Sequence, residues 1–312
     1  MRIGILENNN FSKKALMELK QIGNVYLYDG KNLKNFLEKL DVLFIRVNYK
    51  INKDFLNQAK NLKYICSPTT GHSHIDETSI SESNIKLLSL RGETRFLRSV
   101  RATPEHTIGI ILALIRKYHF AFKSLQKHGW GQRDLYLGEE LFNRSVGIIG
   151  LGRVGYRVAS ILEEFGAIIN FFDISKVRSK KSWILRKDIQ DLINHSSVVL
   201  LLASFKNGQK PIIDKTNINL LNNKYFINTA RGELIDEKLI IKLILANKLK
   251  GFATDVISDG TNNLYLNDWK SIVKNKNVII TPHIGGVTQE SLEKTELFMV
   301  KKLKRNIQNA NK

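Results

Sequence analysis

The amino-acid sequence predicts an α/β protein made of two domains, each built on a mainly parallel β-sheet. Two observations carry this prediction. Short apolar runs typical of strands alternate with helical segments over residues 2–90, and the same alternation resumes over residues 145–281. At 312 residues, the chain is also long enough for two domains with a core in each. Alternating strands and helices are typical of a parallel sheet covered by helices, because strands that run in the same direction need long crossover connections.

The first block of elements follows this alternation. Strand RIGIL (2–6) precedes the amphipathic segment ALMELKQI (15–22), which predicts a helix. The next apolar runs are VYLY, DVLFIRV, LKYICS and IKLLSL, each bounded by polar residues. Such short bounded runs predict further strands of the same sheet.

A long apolar segment separates the two blocks. EHTIGIILALIRKYHFAF (105–122) carries apolar residues almost all round, which predicts one helix buried between two layers. Pro104 suits the first turn of that helix, where a missing backbone N–H costs nothing. The segment could equally lie in a subunit interface or in an internal core.

The second block begins at SVGIIG and ends at NVIIT. The last segment, QESLEKTELFMVKKLKRNI, predicts a helix whose basic end suits the negative end of the helix dipole. We therefore predict a substrate domain formed by residues 1–100 plus 287–312. Residues 101–286 form the second domain, inserted between these two parts in the sequence.

Composition narrows the class of protein. With 43% hydrophobic and 25% charged residues, the chain has the composition of a soluble globular protein. It has no apolar run of membrane-spanning length, and its first residues do not resemble a secretory signal, so we expect a cytoplasmic protein that does not bind membranes. Cys66 is the single cysteine and cannot form an internal disulfide.

The formal net charge of +20 raises the question of nucleic-acid binding. The lysines are dispersed along the whole chain, and no basic motif interleaved with aromatic residues accompanies them. Dispersed charge of this kind indicates a solvated surface. We therefore do not expect nucleic acid to be the partner.

A glycine loop gives the strongest local signal. Gly150, Gly152 and Gly155 have the spacing GxGxxG directly after a predicted strand and at the start of a predicted helix. In that context the first glycine permits a tight turn, the second lets a pyrophosphate approach the backbone, and the third lets helix and strand pack closely. The helix N-terminus attracts phosphate, so Arg153 and Val154 in its first turn are also predicted cofactor contacts.

Asp173 ends the next predicted strand, AIINFF. A carboxylate at this place can accept hydrogen bonds from the ribose hydroxyls of the cofactor and would repel a 2′-phosphate, which favours NAD over NADP. Lys176 and Arg178 follow closely and leave NADP open. The alternative for Asp173 is an ordinary turn residue at a strand end.

Five further segments make the chain resemble a family. FINTARGELID (226–236), GFATDV (251–256) and TPHIGG (281–286) follow the glycine loop in this order. LKYICSPTTGHSHID (62–76) and RATPEHTIGIILALIRK (101–117) resemble a substrate loop and an interdomain helix of the same family. With these motifs spread over nearly its whole length, the chain resembles the D-isomer-specific 2-hydroxyacid dehydrogenases, the group that contains phosphoglycerate dehydrogenase.

The resemblance implies a fold and an activity. It implies a Rossmann NAD-binding domain inserted into a flavodoxin-like substrate domain, with the substrate in a cleft between the two. It also implies hydride transfer between NAD and a D-2-hydroxy acid or 2-oxo acid, including phosphorylated acids, and assembly as a homodimer.

The resemblance also assigns catalytic residues. Arg231 would bind the substrate carboxylate through its forked guanidinium, and His283 would exchange a proton with the substrate oxygen. The family places a glutamate beside that histidine, five residues after the position of Asp255, but this chain has Gly260 there. Asp259 is the nearest carboxylate and is our candidate partner for His283. If it is not the partner, a slow enzyme or an NAD(H)-responsive binding protein is the alternative.

Cofactor contacts follow from the same resemblance. Thr229 and Ala230 would line the nicotinamide, Asp255 would hold its carboxamide, and Gly285 would let the backbone pass close to the cofactor. The alternative for Asp255 is a cap at a strand end.

Substrate contacts are implied at two places in the first block. Thr70, Gly71 and His72 match the loop that presents backbone amides to the substrate carboxylate. Arg46 matches a position that binds the distal end of some substrates, with a solvated strand-end arginine as the alternative. His72 and His74 lack an evident third ligand, so no metal site is predicted.

Overall fold

The computed structural model describes residues 1–124, 130–206 and 208–310. The chain divides into two compact units. Unit 1 contains Met1–Val100 and Val287–Lys312, and unit 2 contains Arg101–Gly286. Within the described part of the chain, none of the helices combines the length and the apolar character needed to cross a membrane.

Each unit contains one parallel β-sheet. The strands are β1 Arg2–Ile5, β2 Asn24–Leu27, β3 Val42–Phe44, β4 Tyr64–Ser67, β5 Lys86–Ser89, β6 Ser145–Ile149, β7 Ile168–Phe172, β8 Ile184–Leu185, β9 Val198–Leu201, β10 Tyr225–Asn228, β11 Gly251–Thr254 and β12 Val278–Ile280.

Helices connect these strands. They are α1 Lys13–Lys20, α2 Leu33–Leu37, α3 Lys53–Asn57, α4 Glu77–Ser81, α5 Thr94–Leu97, α6 Ala102–Ile115, α7 Tyr118–Ala121, α8 Arg153–Glu164, α9 Ile189–Asn194, α10 Glu237–Leu245, α11 Leu266–Asn275 and α12 Gln289–Ala310. Short 3₁₀ helices cover Arg133–Tyr136, Ile218–Leu221, Gly232–Leu234 and Gly260–Asn262.

The sheet of unit 1 has the strand order β2-β1-β3-β4-β5, which is the flavodoxin-like order. Its strands are buried on both faces. Val42 and Phe44 face a core shared with Met299 of α12, whereas Leu43 belongs to the core on the opposite face, shared with Leu37 of α2. This two-sided burial explains why the strands are continuously apolar rather than alternating.

The sheet of unit 2 has the order β12-β11-β10-β9-β6-β7-β8. The strand order reverses at β6, which pairs with both β7 and β9. In open α/β sheets, ligands bind at such a switch point, outside the carboxyl ends of the strands. Both sheets are parallel and covered by helices, so the predicted α/β fold with a Rossmann-type and a flavodoxin-like sheet is confirmed.

The predicted helix 105–122 differs from the structure. The helix α6 ends at Ile115, Lys117 adopts a left-handed backbone with φ +54°, and a separate short helix, α7, follows. A left-handed residue breaks the α-helical hydrogen-bond ladder, so an apolar pattern that continues past it cannot keep one helix intact. The prediction of a single helix was therefore wrong.

Candidate active site

The glycine loop lies at the carboxyl end of β6, and two of its glycines are required by the backbone. At Gly150, with φ +93°, a Cβ atom would lie 2.6 Å from the backbone of Ala203. At Gly155, a Cβ atom would lie 2.2 Å from the carbonyl oxygen of Gly150. A side chain fits at neither position.

Gly152 differs from these two glycines. It immediately precedes α8, and a Cβ atom there would have open space around it. A glycine in open space at a helix N-terminus leaves room for a phosphate group to approach the amides of the first turn. Arg153 and Val154 begin that turn, and burial lowers the pKa of the Arg153 guanidinium. The loop therefore fits the pyrophosphate of a dinucleotide.

Two alanine substitutions separate folding from cofactor binding in this loop. Gly155→Ala should lower the free energy of unfolding by about 1–3 kcal/mol, because its methyl group collides with backbone that cannot move cheaply. Gly152→Ala should keep the melting temperature and weaken NADH binding, since its methyl group occupies only the open space. Thermal unfolding and fluorescence titration with NADH measure the two effects. Equal losses of stability in the two variants would contradict the different roles.

Asp173 follows β7 and lies beside the glycine loop. Its Oδ2 accepts the backbone N–H of Leu151 at 2.8 Å, and its Oδ1 accepts the N–H of Ser175 at 2.9 Å. Each oxygen keeps a lone pair that could accept a ribose hydroxyl. The guanidinium of Arg178 lies over the Tyr156 ring, 5.7 Å from its centroid. Asp173 thus combines a turn contact with a position that suits the predicted ribose contact.

Three neighbouring strands of unit 2 lead into the segments that contain the other predicted residues of this unit. Thr229 follows β10, Asp255 follows β11, and Thr281 follows β12. These strands pair directly in the sheet, so the segments that carry Arg231 and His283 leave the same edge of the sheet.

The Arg231 turn is held by the side chain of Asn228. The Asn228 Oδ1 accepts the N–H of Ala230 at 3.0 Å, and its Nδ2 donates to the carbonyl of Arg231 at 2.8 Å. A Cβ atom at Gly232 would lie 2.2 Å from the backbone nitrogen of Ser258, so glycine lets the turn pack against the next loop. Burial lowers the pKa of Arg231, but a guanidinium remains charged near neutral pH.

His283 has a left-handed backbone with φ +55°. Few residues other than glycine adopt this conformation, although histidine is among the more tolerant ones. The His283 N–H donates to the carbonyl of Asp255 at 2.9 Å, which helps to fix the loop. Surrounding protein atoms and the charge of Arg231 lower the pKa of His283, whereas Asp255 opposes this change. His283 is exposed, so solvent screens its interactions with Arg231 and Asp255.

Asp255 anchors the loop that contains His283. It is only 4% exposed, and its carboxylate accepts the N–H groups of Ile284 and Gly285, both at 2.8 Å. It also accepts the hydroxyl of Thr281 at 2.6 Å. A Cβ atom at Gly285 would lie 2.8 Å from the Asp255 Oδ2, so the glycine makes this contact possible. These contacts are those of a strand-end cap, the alternative for Asp255, and the carboxamide contact stays a prediction.

The buried carboxylate of Glu237 fixes the loop that contains Asp259. Glu237 is 5% exposed; its Oε1 accepts the N–H of Ser258 at 2.7 Å, and its Oε2 accepts the amide of Asn263 at 2.6 Å. Asp259 is exposed, and both Asp259 and Gly260 have left-handed backbones, with φ +55° and +53°. A glutamate at position 260 would therefore be strained in this loop. Asp259 as partner of His283 remains a prediction.

Sequence reasoning missed Glu237. It is the first residue of α10, directly after the N-cap Asp236. An acidic pair at a helix start is typical of capping, so its burial was not visible from the pattern.

In unit 1, Arg46 is bound by protein groups. Its Nη2 lies 2.5 Å from the Oε1 of Glu296, whose side chain is 0% exposed, and its Nη1 donates to the carbonyl of Asn9 at 2.8 Å. The N–H of Ser12 donates to the same carboxylate at 2.7 Å. Arg46 is therefore not the solvated strand-end arginine considered as its alternative. The geometry favours a structural ion pair, and the substrate contact of Arg46 stays a prediction.

The predicted substrate loop of unit 1 has mixed exposure. Thr70 is exposed, whereas His72 is 4% exposed with its Nδ1 3.2 Å from the Oε1 of Glu77. The hydroxyl of Thr69 donates to the carbonyl of Gly71 at 3.1 Å. The loop therefore turns His72 inward and presents Thr70 to solvent.

Known proteins resemble the whole chain. Residues 108–285 match the family model described as D-isomer specific 2-hydroxyacid dehydrogenase, NAD binding domain. The D-3-phosphoglycerate dehydrogenase of Methanocaldococcus jannaschii is 28% identical over 97% of this chain, and the chain spans 57% of its length. The hydroxypyruvate reductase of Thermotoga maritima is 28% identical over 87% of this chain and 86% of its own length.

A solved structure has the same fold. It is the D-lactate dehydrogenase of Aquifex aeolicus, complexed with NAD and lactic acid, with a TM-score of 0.84 and 24% identity, covering 99% of this chain and 96% of that chain. The matched residues, 108–285, include the glycine loop, Arg231 and His283. The family model confirms the predicted family and the predicted cofactor, NAD. This chain belongs to the D-isomer specific 2-hydroxyacid dehydrogenase family.

Proposed function

We propose that the chain is an NAD-dependent dehydrogenase that transfers hydride between nicotinamide and a D-2-hydroxy acid or its 2-oxo counterpart. One observation carries this proposal. Arg231 and His283 lie on segments that leave the same edge of one sheet, and Asp255 fixes the backbone of the histidine loop between them. The glycine loop at the same carboxyl edge supports a dinucleotide there.

These residues divide the work of the reaction. NAD, when bound, supplies the hydride acceptor or donor. Arg231 binds the carboxylate of the substrate and polarises its carbonyl group. In reduction, the His283 imidazolium gives its proton to the carbonyl oxygen, and in oxidation the neutral imidazole removes the hydroxyl proton.

We further propose an acidic substrate, with phosphorylated 2-hydroxy acids included. The net charge of +20 supports attraction of anions. Relatives named for phosphoglycerate, hydroxypyruvate, glyoxylate and aromatic 2-oxo acids support a 2-oxo or 2-hydroxy acid as the substrate class and leave the side group open.

Roles for the two units follow. We propose that unit 2 binds NAD and that unit 1 contributes substrate contacts through Arg46, Thr70, Gly71 and His72.

We also propose that the protein is a homodimer in the cytoplasm. Exposed apolar side chains at Phe122 (77%), Trp130 (96%) and Leu137 (79%) support a covered surface in unit 2, and the mass in solution tests it.

The test of this function is NADH oxidation by the purified protein against a panel of 2-oxo acids. The panel contains glyoxylate, hydroxypyruvate, phosphohydroxypyruvate and an aromatic 2-oxo acid, and Gly152→Ala serves as the variant with weakened cofactor binding. Turnover that requires high NADH in the variant supports the dehydrogenase. NADH binding without turnover of any acid would refute it and favour the alternative, an NAD(H)-responsive binding protein.

A further inference from the structure

Helix α6 reaches the carboxyl ends of three strands through two consecutive side chains. His106 places its Nε2 3.2 Å from the Oγ1 of Thr281 and 3.3 Å from the Oδ1 of Asp255. Thr107 places its Oγ1 2.9 Å from the Oγ1 of Thr229. Thr229, Asp255 and Thr281 each follow the last residue of β10, β11 and β12, so one helical turn contacts all three strand ends.

The hydrogen bonds around His106 determine which ring nitrogen carries a proton. The hydroxyl of Thr281 has one proton and donates it to the Oδ1 of Asp255 at 2.6 Å. The Thr281 oxygen can therefore only accept from His106, and the Asp255 carboxylate is also an acceptor. It follows that the His106 Nε2 carries a proton and donates it to this pair of oxygens.

The Asp255 carboxylate, which accepts the hydrogen bond from His106, also fixes the loop that contains His283. Asp255 holds the backbone N–H groups of Ile284 and Gly285, the two residues directly after His283. The His106 ring also packs against Gly285, where a Cβ atom would lie 3.3 Å from the His106 Cδ2. His106 thus contacts the group that fixes the left-handed backbone of His283.

We infer that His106 is a positioning residue, which holds the Asp255 carboxylate in the orientation that places His283 for proton transfer. This inference rests on the proposed dehydrogenase function. His106 does not exchange the proton of the reaction itself, since its donor points at Asp255 and Thr281. A strained loop requires such support, because a left-handed residue other than glycine persists only where its surroundings determine it.

Two substitutions of similar size distinguish positioning from general support of the fold. In His106→Gln, the side-chain amide nitrogen can occupy the place of Nε2 and keep the donor. In His106→Asn, the shorter amide reaches only the place of Nδ1, so the Asp255 contact is lost. Glu105→Gln is the control on the same helical turn, since Glu105 is exposed.

The expected result is a difference between the two variants. His106→Asn should lower kcat for 2-oxo acid reduction by about tenfold or more, since a hydrogen bond to a charged group is lost. Its KM for the 2-oxo acid should not change, because Arg231 and not His106 binds the substrate carboxylate, and the titration of His283 followed by NMR should move to lower pH as the Asp255 charge is held less firmly near it. His106→Gln and Glu105→Gln should behave like the wild type in all three measurements.

Two outcomes would overturn the inference. Equal kcat and equal His283 titration in the Asn and Gln variants would show that the Nε2 donor has no positioning role. A lower melting temperature in the Asn variant with unchanged kcat would show that His106 only stabilises the fold. If the wild type reduces no acid in the panel, the proposed function fails, and the His283 titration alone still decides the positioning role.

Discussion

His283→Asn is expected to abolish most of the turnover while leaving the protein folded and able to bind NADH. Asparagine suits this test because it tolerates the left-handed backbone that His283 adopts, with φ +55°, better than alanine does. The substitution therefore removes the titrating group without adding backbone strain. Loss of general acid–base catalysis should lower kcat by about 10²–10⁴.

The pH dependence of the wild type gives a second expectation. Reduction uses the protonated imidazole, so its rate should fall as pH rises through the pKa of His283. Surrounding protein atoms and Arg231 lower this pKa, so the fall should be centred below the ordinary histidine value of about 6.5. Oxidation uses the neutral ring, so its rate should rise as pH rises through the same pKa.

The control for this prediction is His195→Asn. His195 lies at the end of α9, before the amino end of β9, and pairs with Asp191 at 2.9 Å. This variant should keep wild-type rates. If His283→Asn retained the pH-dependent limb of the wild type, the titrating group would be another residue, and the assigned role of His283 would be incorrect.

Local patterns in the sequence predicted the two parallel sheets, whereas their Rossmann and flavodoxin-like types followed from the family resemblance. The two blocks of strand and helix segments correspond to two parallel sheets, because each strand is a short apolar run between polar turns. The glycine loop was also predictable, because its backbone contacts require glycine at fixed spacings. Gly150 and Gly155 meet backbone atoms of neighbouring elements, and only glycine satisfies both contacts.

Long-range hydrogen bonds could not be predicted in the same way. Asp255 binds two amides about thirty residues further along the chain, and Glu237 binds the loop around Ser258. Neither pairing leaves a periodic pattern in the sequence. The hydrogen-bond partner of His283 could not be predicted from a pattern either, since Asp259 was chosen only as the carboxylate nearest to Gly260. The variant Asp259→Asn tests that choice, and an unchanged rate and pH profile would exclude Asp259.

Arg231→Lys is expected to raise the KM for the 2-oxo acid by about 100-fold, since hydrogen bonds between charged groups contribute about 1.5–3 kcal/mol each and lysine cannot form the forked pair. The turn itself should persist. Asn228 holds it through the amide of Ala230 and the carbonyl of residue 231. The arginine side chain adds one bond, from its Nη1 to the carbonyl of Ala230 at 2.7 Å, and a lysine ammonium group can also donate to that carbonyl. NADH affinity should therefore stay at the wild-type value, as measured by fluorescence titration.

The same substitution at an exposed arginine provides the control for Arg231→Lys. Arg133 has a side chain that is 94% exposed, and Arg133→Lys should leave both KM values unchanged. The comparison also separates charge from geometry, because both variants retain the positive charge. If Arg231→Lys left the KM for the acid unchanged, the charge alone would suffice at this position, and recognition of a carboxylate by two parallel hydrogen bonds would be excluded. If it weakened NADH binding instead, Arg231 would belong to the cofactor site, and the substrate carboxylate would have to be bound by the amides of another loop.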